Sequence, residues 1–385
     1  MNLLRSRCLA AAALGVSAAL ALLPLTPGPA AASAAAPATS PMAAAAAAAA
    51  AAGFPLSRTL PESASVPACT MAGAGKVLCT SAAPTQAAAP QVALAGFSCI
   101  ANKVHRNRHE SCGVFAVKVT LIAVPSGKVL GTADVSVAYA ATLSARSRSW
   151  NMPMAIEMTS ASRALRVGTV AVTAISCRGG CIGPPFWSPA LRVGVVDRHT
   201  FVIRAPGSAT ITTTQTPMII FTHPAAENGA PVTFRNLGPA RCDSVAVKGT
   251  SGCVFSDVIA EYVLHKTGQN VDVVAAHIQT AQRTKPHHFG LKGHSPPHPL
   301  TRSTSASVQN ANRRRACRGV HVPTGMQCDE YPFAATNQGA AFFPADNSTF
   351  AVPSAQNQAE GGRRVNMYRT ERVLNGDKYW VIILP

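Results

Sequence analysis

The chain has 385 residues, with 34 Lys+Arg against 16 Asp+Glu and a formal net charge of +18. Its 48% apolar content excludes wholesale disorder, although only 13% of residues are charged, roughly half the usual ~25%. The length suits two domains of roughly 100–200 residues, and the basic excess selects polyanions such as nucleic acid, anionic lipid or a wall polymer without choosing among them.

Arg5 and Arg7 precede an apolar stretch over residues 9–25, and small residues run from 30 to 36. This order predicts a secretory signal peptide over residues 1–36. A membrane anchor would need about 20 apolar residues, and Pro24, Pro27 and Pro29 interrupt the segment early. No later stretch is long enough to span a bilayer. The expectation is a secreted, extracellular protein without a membrane span after signal cleavage. Residues 37–55 include an unbroken alanine run over 43–52 and read as an Ala/Pro-rich low-complexity leader, because so short an alanine helix is marginal alone.

Of 11 cysteines, Cys8 would leave with the signal peptide. The rest fall as close neighbours: Cys69/Cys79, Cys99/Cys112, Cys177/Cys181, Cys242/Cys253 and Cys317/Cys328. In an exported chain this spacing predicts local disulfide loops. Zinc is the alternative at Cys177-x3-Cys181, but no second Cys/His pair stands at zinc spacing nearby.

Residues 56–264 are expected to form a β-rich accessory domain. Runs at 114–122 and 133–139 alternate apolar and polar residues around Pro125-Ser126-Gly127. Further β-branched runs at 167–175, 192–196, 200–203, 209–214 and 231–234 suggest an antiparallel sandwich or barrel. Residues 53–259 hold 18 Lys+Arg against 8 acids. The densest patch is Lys103, His105, Arg106, Arg108 and His109, which reads equally as a solvated loop or as a grip on DNA or an anionic wall polymer.

Residues 265–311 read as one short helix followed by a linker. Val271, Val274, Ala275, Ile278 and Ala281 recur at helical spacing over 270–282. His287, His288, His294 and His298 then sit among Pro286, Pro296, Pro297 and Pro299. They lack the i,i+4 spacing of a helical metal site, so a linker is expected.

Residues 312–385 carry the candidate chemistry. Asn312-Arg313 and Cys317 lead to Cys328-Asp329-Glu330-Tyr331-Pro332-Phe333-Ala334, then Gln356-Asn357, Gly361-Gly362 and an apolar final strand over 379–384. Two adjacent carboxylates beside a disulfide and a proline turn suit a metal or acid/base site. Neighbouring side chains on a strand point opposite ways, so Asp329 and Glu330 should do different jobs. Arg313, Arg314, Arg315, Arg318, Arg363, Arg364, Arg369 and Arg372 offer cations for phosphate oxygens, with a solvated surface as the alternative.

This run resembles the secreted deoxyribonucleases of the NucA/NucB family. The resemblance rests on a His277-Ile278 entry to a helix, Asn312-Arg313, the Cys-Asp-Glu-Tyr-Pro-Phe-Ala block, the Asn357 segment with its glycines and the last strand. It covers about 110 residues, from near Asn270 to the end. It implies an α+β chain in which a ββα-metal type nuclease domain follows a β-rich, disulfide-stapled domain. It also implies a DNA substrate, little sequence preference and a divalent ion, Mg²⁺ or Mn²⁺. Carried over, Asp329 becomes the general base and Glu330 its catalytic partner, linked to the metal directly or through a neighbour. Asn357 becomes the metal ligand, and Glu360, one helical turn away, supplies the missing carboxylate to the metal or stands as a surface glutamate. Arg313, Arg363 and Arg364 become contacts to the DNA backbone. Gln356 stands where the family often has an acid, and Glu360 where a neutral residue is usual. These departures keep open a non-catalytic, exported polyanion- or wall-binding protein with a degenerate module. An inhibitor protein suits the class, and no residue indicates one.

Overall fold

The computed structural model describes residues 75–82, 94, 96–97, 99–124, 126–183, 186–227, 229–247 and 249–385. The expected signal peptide over residues 1–36, the expected leader over 37–55 and Cys69 lie outside the described residues. Among the described residues no helix is long and apolar enough to cross a membrane.

The first region is a two-sheet sandwich. One sheet is built from β1 (Gly75–Ala82), β2 (Val104–Arg106), β3 (Glu110–Val124), β4 (Lys128–Thr142), β5 (Ser149–Ala161) and, beyond the other sheet's first strand β6 (Val170–Arg178), β7 (Val196–Arg204). Its order is β1-β3-β4-β5-β7, with β2 also on β3. The second sheet joins β6 to β8 (Ile211–Thr222), β9 (Ala230–Thr233), β10 (Pro239–Val247) and β11 (Thr250–Phe255) in the order β11-β10-β8-β6, with β9 on β8. Every pairing between these strands is antiparallel.

The period-two pattern does this work. Along β8, Thr213, Gln215, Ile219 and Phe221 are buried while their neighbours are more exposed. Ile219 and Phe221 meet Val117, Val135, Val137, Met152 and Met154 from the first sheet in one core. Disulfides close Cys99–Cys112, Cys177–Cys181, Cys242–Cys253 and Cys317–Cys328. The sulfurs of Cys177 and Cys181 are thus bonded to each other and are not zinc thiolates. Cys79 is also disulfide-bonded.

The second region starts earlier than residue 312. It comprises β12 (Ala260–His265), α1 (Asp272–Thr284), β13 (Leu300–Thr301), α2 (Ala306–Ala316), β14 (Met326–Tyr331), β15 (Ser348–Pro353), α3 (Ser354–Thr370) and β16 (Lys378–Leu384). β12 lies parallel to β16 from Ala260↔Tyr379 to His265↔Leu384, and β13 flanks β16 antiparallel. β14 and β15 form a separate antiparallel hairpin in which Asp329 faces Phe350 and Tyr331 faces Ser348.

The expected linker at 265–311 is corrected by this packing. Val271, Val274, Ala275, Ile278, Ala281, Phe289 and Leu300 belong to the same core as Tyr331, Val352, Tyr368 and Tyr379. The proline-rich stretch is held by side chains that a composition-based reading ignores. His287 Nδ1 lies 2.8 Å from Asp346 Oδ2, and the Tyr331 hydroxyl donates to the Phe289 carbonyl at 2.8 Å. Gly290 has φ +77°, and a Cβ there would stand 2.3 Å from the Tyr331 oxygen, so only glycine lets the chain pass.

A buried ionic joint connects sandwich and second region. Arg372, fully buried with φ +44°, donates Nε to Asp243 Oδ2 at 2.9 Å and Nη2 to Oδ1 at 2.6 Å. Its Nη1 donates to the Ala145 carbonyl at 2.6 Å. Arg241 grips Asp377 with two bonds of 2.8 and 2.6 Å. Burial pushes the Asp243 carboxyl up, but the bonds from Arg372 and from the Ala246 and Val245 amides outweigh it, leaving it below its ordinary value.

The joint also corrects the reading of the basic loop. Arg108 is buried and donates to the carbonyls of Glu371, Val258 and Arg372. Arg106 pairs with Asp257 at 2.7 Å, and His109 lies 3.2 Å from Glu371. The cationic cluster between Cys99 and Cys112 is largely committed to contacts within the protein. Arg372, expected to offer a cation to phosphate, is likewise structural.

Candidate active site

The hairpin β14–β15 runs straight into α3, and α2 packs its C-terminal end against β14 through the Cys317–Cys328 disulfide. Ser305 caps α2 by accepting from the Val308 amide. Near the other end, buried Asn312 donates to the Ala334 and Thr336 carbonyls and accepts from the Ala341 amide. Asn312 therefore laces the loop after β14 in place and turns the next residue, Arg313, toward a cavity of about 510 Å³. Gly339 allows this, because a Cβ there would stand 2.3 Å from the Asn312 amide group.

The cavity is lined by Arg313 from α2, Asp329 and Glu330 from β14, and Asn357, Glu360 and Arg364 from α3. Six of the expected site residues thus converge. Arg363 does not line it; its Nη2 donates to the Gln269 carbonyl at 3.0 Å. A one-residue step along a helix turns the side chain by about 100°, which sends Arg363 and Arg364 to different faces.

Asp329 and Glu330 have different surroundings, as strand alternation requires. Asp329 is buried, with Oδ2 2.6 Å from Nδ1 of His277. Glu330 is half-buried, with the Cys317 sulfur 4.0 Å from Oε2. Burial, and then the Asp329 charge, push the Glu330 carboxyl up to about 7, against the opposing pull of Arg364 and Arg313.

Asn357 donates Nδ2 to Gln327 Oε1 at 3.0 Å, which directs its amide through a second strand residue. Glu360 is buried, and Arg364 occupies both its oxygens at 2.8 and 3.3 Å. Burial pulls the Arg364 guanidinium down, but Glu360 and Tyr368 more than compensate and hold it well above its ordinary value. The Arg364 guanidinium also lies 4.2 Å from the Phe333 ring centre. Its charge is neutralised by Glu360 before any phosphate arrives.

Gln356 explains one departure. Its Oε1 accepts from the Val273 amide at 2.9 Å and its Nε2 donates to Asp272 Oδ1 at 2.7 Å. It supplies a cap that Val271, at the start of α1, cannot. An acid here would set two carboxylates against each other.

The sequence reading used His277 only as the entry to a helix and gave it no role at the site. It lies within α1 rather than at its entry, nearly buried among apolar neighbours. A polar residue three after Val274 and four before Ala281 interrupts an otherwise apolar stripe, and that is the signal available in the sequence.

Among the described residues no group of three or more His, Cys, Asp or Glu is placed to hold a metal ion. The lining is nevertheless rich in oxygen donors. Hard divalent cations such as Mg²⁺ take oxygen ligands and bind through one or two carboxylates plus substrate phosphate. Glu330 and the Asn357 amide oxygen fit that demand. Glu360, with both oxygens held by Arg364, does not fit it in this arrangement.

Residues 279–382 match the family model described as Deoxyribonuclease NucA/NucB. The C-terminal domain is a NucA/NucB family domain. No curated protein matches the chain. The matched span of the NucA/NucB domain takes in α2, the β14–β15 hairpin, α3 and most of β16, hence every residue that lines the cavity. It leaves out the sandwich, β12 and the first half of α1, including His277.

Proposed function

We propose that the protein is a secreted, metal-dependent DNA endonuclease that hydrolyses phosphodiester bonds with little sequence specificity. The observation that carries this is the meeting of Asp329 and Glu330 on β14 with Asn357 on α3 across one cavity, inside the NucA/NucB match. The hairpin-then-helix order of β14, β15 and α3 supports a ββα-metal arrangement.

In this reading Asp329 takes the proton of the attacking water as that oxygen bonds to phosphorus. The bond from phosphorus to the leaving oxygen breaks, and the leaving oxygen takes a proton from solvent. Glu330 and the Asn357 amide oxygen would hold the divalent cation, Mg²⁺ or Mn²⁺. When bound, that cation neutralises charge growing on the phosphate and the leaving oxygen. Arg313 contacts a backbone phosphate. Contacts to phosphate position DNA without reading its sequence, which supports low specificity. Four disulfides among the described residues support an oxidising compartment.

The test is nicking of plasmid DNA by the purified protein with Mg²⁺ or Mn²⁺, with and without EDTA, beside Asp329→Ala. Metal-dependent nicking that falls roughly 10²–10⁴-fold in the variant is expected. Nicking that survives Asp329→Ala removes that residue from the chemistry. The Arg364–Glu360 pair favours a second reading, an exported protein that binds DNA or an anionic wall polymer without cleaving it. Salt-sensitive DNA binding without nicking under any metal would select that reading.

A further inference from the structure

We propose that His277 is a positioning residue for the hydrolytic step, fixing which oxygen of Asp329 faces the attacking water. The inference rests on the deoxyribonuclease reading of the cavity, and its test separates the two.

His277 reaches the β14–β15 hairpin from α1 and is held there at both ring nitrogens. Nδ1 lies 2.6 Å from Asp329 Oδ2, and Nε2 lies 3.0 Å from the Ser348 hydroxyl. A carboxylate can only accept, so Nδ1 carries the proton in this bond. The Ser348 hydroxyl can donate to Nε2 of a neutral ring or accept from a charged one, and the imidazole is anchored either way. The Phe350 ring, directly across the hairpin from Asp329, packs beside it at 5.8 Å between ring centres. These contacts come from β14 and β15 together, so the ring is held from both strands of the hairpin.

The consequence falls on Asp329. A strand carboxylate is free to turn about its last torsion and present either oxygen, because that torsion is broad and roughly two-fold. With Oδ2 committed to His277, the oxygen left for the cavity is Oδ1. The water proton moves to Oδ1, the water oxygen bonds to phosphorus, the leaving group's P–O bond breaks, and the leaving oxygen takes a solvent proton. The Asp–His–Ser order echoes a serine hydrolase triad, but here the carboxylate lines the cavity and the serine anchors the far side of the ring.

A packing role alone does not call for histidine. The other buried positions of α1 are apolar except Gln282, whose amide bonds the Tyr331 hydroxyl and the Val381 carbonyl away from the cavity.

The experiment compares the full chain with His277→Asn, His277→Gln, His277→Leu and Ser348→Ala, reading kcat and KM for DNA cleavage with Mg²⁺ and the thermal midpoint. Asparagine can place its amide nitrogen where Nδ1 stands, whereas glutamine can place one where Nε2 stands. His277→Leu and His277→Gln are expected to lose roughly 10- to 100-fold in kcat. His277→Asn recovers most of that loss, Ser348→Ala loses less than His277→Leu, and KM stays near the wild-type value throughout. A folded His277→Leu with wild-type kcat overturns the inference. Should His277→Leu fail to fold, equal kcat in the asparagine and glutamine variants overturns it instead. Wild-type protein that cleaves nothing with Mg²⁺ or Mn²⁺ overturns the nuclease reading, and the inference with it.

Discussion

The sandwich and the NucA/NucB domain use charge in opposite ways. Residues 53–259 hold 18 Lys+Arg against 8 acids, and residues 260–385 hold 14 against 8. The more basic region nevertheless spends its densest cluster on structure, with Arg106 on Asp257 and Arg108 on backbone carbonyls at the joint. The less basic region turns Arg313 into a cavity beside two carboxylates. Net charge therefore reports a class of partner, while the partners of individual charges decide where chemistry can happen.

The sharpest way to break this comparison is at the joint. Arg372→Ala leaves Asp243 buried without its main partner, and breaking such a pair costs about 3–5 kcal/mol. Equilibrium denaturation should show that loss, with sandwich and NucA/NucB domain destabilised together because Arg372 donates to groups from both Asp243 and Ala145 of the sandwich. A sandwich that unfolds as in the wild type would mean that the two regions are independent.

The next effect concerns Glu330, whose carboxyl is pushed up to about 7. A raised carboxyl contributes stability below its ordinary value of 4.5, and that contribution is lost as pH rises through 7. Glu330→Gln should therefore stabilise the protein at pH 8, by about 3 kcal/mol at most, and change little at pH 4. Cleavage with Mg²⁺ should fall in Glu330→Gln, because a neutral amide replaces the carboxylate proposed to hold the cation. Thermal midpoints across this range check the sign, and cleavage rates with Mg²⁺ check the loss.

The smallest effect belongs to the sandwich surface. Lys103→Glu with His105→Glu alters the part of the basic loop that the joint does not use, and cleavage and DNA binding should stay unchanged. A salt-dependent loss of DNA binding would assign a polyanion grip to the sandwich after all.

Much of this was legible along the chain. Period-two runs marked the sandwich, and the spacing of the cysteines anticipated the disulfides at Cys99, Cys177, Cys242 and Cys317 with their near neighbours. The Cys-Asp-Glu-Tyr-Pro block marked the cavity, and adjacent carboxylates on a strand were expected to differ. The domain boundary was not legible. β12 has the same alternation as the strands before it, and only its parallel pairing with β16, over a hundred residues away, assigns it to the second region. The histidine- and proline-rich stretch looked like a linker because composition carries no record of Phe289 and Leu300 entering a distant core.

The sequence by itself determined local matters: strand and helix periodicity, the cysteine loops and the carboxylate pair, each set by residues close together in the chain. The tertiary structure alone decided which charges are free. Arg372 reads in sequence as a cation for phosphate and Glu360 as a carboxylate for the metal, and both prove buried and paired, while His277 looks like a helix residue and proves bound to Asp329. A charge or an imidazole has no fixed role until burial and partners from other elements fix its solvation, and those partners come from distant parts of the chain.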